Sequence, residues 1–184
     1  MQPTKNVETY LRLFEPMDVQ FKLDLIAGLS QSEGHEKGEQ QFWELMELID
    51  WSKEGDEQKV QPLKIALQNT SASTIQQFSE QLAQSLHQLD GPQYFDALRK
   101  RKYGISADTF LYARCWVVAK GKSFYEDVLK SPEKMSVSDD FEVLLYVGKE
   151  AYEQATSEAY DFIPSVMYES FFNKKLWKEK AIQL

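Results

Sequence analysis

Apolar residues along this chain recur three and four positions apart, and strand-like alternation is hard to find anywhere in it. That period places apolar side chains on one face of a helix, so the pattern predicts an all-α protein. Residues from about Val7 to Phe14 read as a short helix, and Met17, Phe21, Leu25 and Leu29 form the stripe of a second. Ser30 to Gly38 is polar, carries two glycines and reads as a linker. The division that follows is an N-terminal helical arm and linker at 1–38, then a single compact multi-helix domain at 39–184.

Within the domain the spacing predicts a helix from about Gln40 to Trp51, broken by Gly55 and Asp56, and another from Glu57 to Gln68. Asn69 to Ser73 supplies capping side chains, and Ile75, Phe78, Leu82, Leu86 and Leu89 make the next stripe, stopped by Gly91-Pro92. A short helix from Tyr94 to Lys102 ends in the basic run Arg99 to Lys102. From Thr109 to Lys120 the chain is apolar all round apart from Arg114, which predicts a central, buried helix ended by Gly121. Phe124 to Leu129 adds a turn or two, and Asp140 to Thr156 a long helix with acidic residues at its positive end. After Pro164 a last helical stretch is expected through Met167, Phe171 and Phe172 into the lysine-rich tail.

With 42% hydrophobic and 13% aromatic residues the chain can bury a core without staples. Its formal charge of −8 argues against nucleic acid and anionic membranes, which are held by Lys and Arg. A single cysteine, Cys115, rules out an intramolecular disulfide. No apolar run reaches membrane-spanning length and no signal-peptide pattern opens the chain, so the expected compartment is the cytoplasm.

Enzyme motifs are missing. There is no Gly-rich phosphate loop, no GxSxG turn and no HExxH pair. Two histidines, His35 and His87, cannot build a multi-histidine metal site, so neither a metal, a cofactor nor a catalytic set is expected. Cys115 lies mid-helix among apolar neighbours, which suits a buried structural thiol better than a nucleophile.

Arg114 is the residue that stands out, because a guanidinium cannot be desolvated without partners. Asp108, Glu142 and Glu150 are the candidate carboxylates. Two readings stay open: an internal ion pair that fixes helix packing, or a ligand site of Arg114, Asp108, Glu150 and Ser106 holding an anionic group. Ser106 and Asp108 also suit capping of the helix that follows them. The basic run and tail read as solvated faces. On the arm, Phe21, Leu25 and Leu29 are the candidate partner-binding residues.

From Phe42-Trp43-Glu44-Leu45-Met46 onward the chain resembles the bacterial domain of unknown function family four-two-four-zero. Gly104 to Phe110, then Tyr112 to Val118, are similar to its central Gly-x-Ser-Asp-Asp-x-Phe and Phe-Arg-x-Trp-Leu segments. Gly121-Lys122, Phe124-Tyr125, Ser131-Pro132-Glu133 and Glu150-Ala151-Tyr152-Glu153 continue the resemblance, which covers about residues 40–164. Ala107 replaces the usual first acidic residue, and Ser157 stands where a Gly usually follows the Thr. The resemblance implies a helical intracellular domain and brings no activity.

The expected function is therefore a protein–protein interaction module with a protein partner, rather than an enzyme. Leu23 to Ser30 is similar to short helical segments of antitoxins, which points to a bacterial defence, immunity or toxin–antitoxin setting. The alternative is a small-ligand-binding domain or enzyme built around Arg114.

Overall fold

The computed structural model describes residues 37–136 and 138–181. The two expected arm helices, with Phe21, Leu25 and Leu29, lie outside the described residues. Two compact units divide the chain, Met1–Glu39 and Gln40–Leu184, and the description below concerns the second. Among the described residues every regular element is helical and none is a strand.

Helix α1 spans 37–46, so Lys37 and Gly38 of the expected linker are already helical. It buries Phe42, Trp43 and Met46 and ends sooner than the apolar spacing predicts. Asp50 is the reason. Its carboxylate takes the N–H of Ser52 at 3.0 Å and the Ser52 hydroxyl at 2.6 Å, a local turn that competes with helix.

Helix α2, Asp56–Gln68, opens on Asp56 and Glu57 at its positive end. It buries Val60, Leu63, Lys64 and Leu67 and carries Pro62 on its exposed side. Helix α3, Ala72–Gln88, is capped by Ser71, whose hydroxyl accepts from the Thr74 N–H at 3.2 Å. Helix α4, Pro92–Arg99, uses the fixed φ of Pro92 in its first turn. Helix α5, Ala107–Ala119, is capped by Ser106 through the Thr109 N–H at 3.0 Å. It is the central helix expected from its composition, with eight buried residues including Arg114.

Helix α6, Lys122–Lys130, and a short 3-10 turn, Pro132–Lys134, lead back towards α4. There Arg101 donates to the carbonyls of Glu133 and Met135. The basic run is thus not wholly a solvated face. Helix α7, Leu144–Thr156, starts later than expected, and no acidic residue sits in its first turn. Before it, the Phe141 N–H is held by the Tyr112 carbonyl of α5 at 3.2 Å, which keeps those residues out of the helix. Helix α7 packs on α2 and α3, and α5 on α3, α6 and α7.

The expected helix after Pro164 is replaced by an irregular strap over 157–173, followed by helix α8, Lys174–Ala181. Polar groups of other elements take the main chain that a helix would need for itself. Glu80 accepts from the Ser165 N–H at 2.8 Å, and His87 Nδ1 lies 2.6 Å from the Met167 carbonyl. Arg114 donates to the Tyr168 carbonyl, and Asp90 accepts from the N–H groups of Phe171 and Asn173. His87 is half-buried at this contact.

Candidate functional site

The four residues expected to form one site are not brought together. Ser106 and Asp108 are exposed at the start of α5, where Ser106 serves as cap. Glu150 points from α7 to Lys64 of α2 and forms an ion pair with it, shared with Glu57 at 2.7 Å. Burial pulls the Lys64 pKa down, and the hydrogen bonds and charges of Glu150 and Glu57 outweigh that and hold it above its ordinary value. Glu142 takes the Tyr146 hydroxyl at 2.8 Å and that of Tyr112, which pushes the Tyr112 pKa up to about 12.

Arg114 is fully buried and makes no ion pair among the described residues. Its partners are neutral oxygens. Nη1 donates to the Leu86 carbonyl at 2.8 Å and the Tyr168 carbonyl at 3.0 Å, and Nη2 donates to Ser170 Oγ at 2.9 Å. Its Cζ lies 4.7 Å from the centre of the Phe110 ring, while Nε has no partner. Burial pushes the guanidinium pKa down, and Asp90 is the first charge that opposes the shift. Arginine stays protonated through such shifts, so a cation sits inside the domain.

Asp90, directly after α3, is the residue that sequence reasoning missed. It is fully buried. Its carboxylate accepts from the Phe171 N–H at 2.9 Å, the Asn173 N–H at 2.8 Å and Trp177 Nε1 at 3.2 Å. Ser170 Oγ, which accepts from Arg114, donates in turn to the Ala107 carbonyl at 2.7 Å. Asn173 Nδ2 donates to the His87 carbonyl at 2.9 Å. Phe171 adopts a left-handed φ of 74°, and its ring stands 5.2 Å from that of Phe95 and 5.0 Å from that of Trp177. A signal for Asp90 was in the sequence: it falls four residues after Leu86 and eight after Leu82, on the apolar stripe itself. Lys64, four after Val60, carries the same signal.

The arrangement recognises main chain. A guanidinium offers donors to carbonyls, and a carboxylate accepts from N–H groups. It offers little for bond-breaking chemistry. Cys115 is fully buried, and burial pushes its thiol up to about 12, so no thiolate is present at neutral pH. Among the described residues no three His, Cys, Asp or Glu side chains cluster to hold a metal, and no helix is long and apolar enough to cross a membrane.

Neither of two cavities in the domain includes Arg114 in its lining. A small one of about 90 Å³ lies between α3, α7 and the strap, lined by Ser79, Gly148, Tyr160 and Tyr168 among others. The larger is an open groove of about 970 Å³ along α2, lined by Leu48, Lys53, Glu57, Gln58, Gln61, Pro62, Ile65 and Ala66.

Among known protein families, the model described as "Protein of unknown function (DUF4240)" matches residues 38–154. The match thus stops short of the strap. No curated protein and no solved structure matches the chain.

Proposed function

The chain belongs to the DUF4240 family, which carries no assigned activity, and from its surface we propose a protein–protein interaction domain that takes an amphipathic helix of its partner in the groove along α2. The observation that carries this reading is the groove. Its lining joins the apolar Leu48, Pro62, Ile65 and Ala66, with Leu48 and Ile65 left 40% and 49% exposed, to the polar Lys53, Glu57, Gln58 and Gln61. A groove that offers apolar side chains beside polar ones suits the apolar face of an amphipathic helix. Exposed apolar surface of that kind is a mark of contact sites.

In the same proposal the arm offers Phe21, Leu25 and Leu29 as a second apolar stripe to the partner. A component of a bacterial defence, immunity or toxin–antitoxin system is the partner class to try first. Leu48→Asp with Ile65→Asp changes two exposed positions and should leave the unfolding midpoint within a few degrees of wild type. The wild-type tagged chain, purified from its native host, should carry one stoichiometric protein that the variant lacks. Equal recovery by both chains, or a clean wild-type chain, overturns the reading.

A further inference from the structure

The strap meets the helices beneath it as a bound peptide meets a receptor. Core elements here are held by apolar side chains, whereas the buried residues of the strap are Ser170 and Asn173. Its large apolar side chains Ile163, Met167, Phe171 and Phe172 are exposed. Tyr160 and Tyr168 pack half-buried against the core and the Phe171 ring stands against Phe95 and Phe110, while the main chain of the strap is gripped by polar, directional hydrogen bonds.

Beneath the strap sit the two fully buried charges, Arg114 and Asp90. Both belong to the stretch that the family model matches, and the strap does not. All three hydrogen bonds to the Asp90 carboxylate come from Phe171, Asn173 and Trp177. Without Tyr168 and Ser170 of the strap, Arg114 keeps a hydrogen bond only to the Leu86 carbonyl, beside its contact with the Phe110 ring. Buried charges without partners are among the costliest features a fold can carry. This part of the domain is therefore built to be covered by polypeptide.

We propose that Arg114 and Asp90 form a peptide-binding site, which the chain's own residues 168–177 fill in this structure and which takes the same segment in trans from a second copy of the chain. The ligand class is a main chain that turns at Ser170 and Phe171 and enters a helix at Lys174, presenting, in order, a carbonyl for Arg114, a serine hydroxyl, two N–H groups for Asp90 and an indole. Phe95 and Phe110 supply the apolar wall against which Phe171 stands. In cis the strap competes at the high effective concentration of a tethered ligand, on the order of millimolar. The site is separate from the α2 groove and does not depend on it.

The test uses the full chain carrying Ser170→Ala and Asn173→Ala, which loosens the resident strap. The probe is a fluorescent synthetic peptide of residues 163–178 with the native sequence. The loosened chain should bind the peptide at least about tenfold more tightly than wild type does, because the tethered competitor is weakened. Adding Asp90→Asn should abolish that gain. A folded loosened chain that gains no affinity, or a gain that survives Asp90→Asn, overturns the proposal. Hydrogen exchange on the wild-type chain gives an answer even where a variant fails to fold. The amides of Phe171 and Asn173 should exchange through an opening that leaves α3 and α5 protected. If they exchange only together with α3 and α5, the segment is a permanent part of the core and the site is not a receptor.

Discussion

At the scale of the residue, Asp90 and Asp108 show how little a carboxylate's identity says about its energetic role. Asp108 is exposed in the first turn of α5, where its charge suits the helix dipole. Asp90 is fully buried and holds Phe171, Asn173 and Trp177 in place. Asp90→Ala leaves those donors without an acceptor and removes the charge that best offsets Arg114. It should destabilise the chain by about 3–5 kcal/mol in urea unfolding, whereas Asp108→Ala should cost about 1 kcal/mol or less. Equal costs for the two would refute the assignment of Asp90. Ser157 belongs to the same scale. It ends α7 with a left-handed φ of 60°, the conformation that favours glycine.

At the scale of the element, the crossing of α3 and α7 turns on one glycine. A Cβ on Gly148 would collide with Ser79 Oγ, while the Ser79 Cβ would remain at an ordinary 3.6 Å. Gly148→Ala should therefore lower stability by about 1–3 kcal/mol through overpacking. Adding Ser79→Ala removes the obstacle and leaves the helix preference of Ala over Gly, about 1 kcal/mol in favour of folding. Thermal unfolding of the single and double variants decides it: a double variant no better than the single would mean the backbones, not the hydroxyl, are in contact. Most helices were legible at this scale because their apolar stripes and caps agree, as with Ser71 before α3 and Ser106 before α5. Where the boundaries moved, a long-range or local hydrogen bond had claimed the backbone. Phe141 on Tyr112 delays α7, and Asp50 with Ser52 shortens α1.

At the scale of the whole molecule, the strap is tied to α3 through the Glu80 carboxylate, so that part of its hold depends on pH. The Glu80 carboxyl is raised by burial, but the Ser165 hydroxyl and N–H and the Gln84 amide outweigh that and set its pKa below the ordinary 4.5. A depressed carboxylate contributes stability that is fully present above its unfolded value and is lost as pH falls through its folded one. Acidification below 4.5 should therefore lower the protection factor of the Ser165 amide. Glu80→Gln should remove that dependence. Protection that stays level down to the acid unfolding of α3 would refute the link.

The sequence by itself determined that the domain is helical, which residues make its core, and that α5 runs through the centre. Those features follow from side-chain periodicity and local capping, which act over a few residues. It also marked Arg114 as needing partners, but could not choose them. The tertiary structure passed over the nearby carboxylates Asp108, Glu142 and Glu150 and gave the guanidinium Leu86, Tyr168 and Ser170 instead. It also made a strap out of a segment whose own spacing suggested helix. The reason is the same in both cases: the deciding hydrogen bonds join groups up to 87 positions apart, as between Trp177 and Asp90, and no local pattern encodes them.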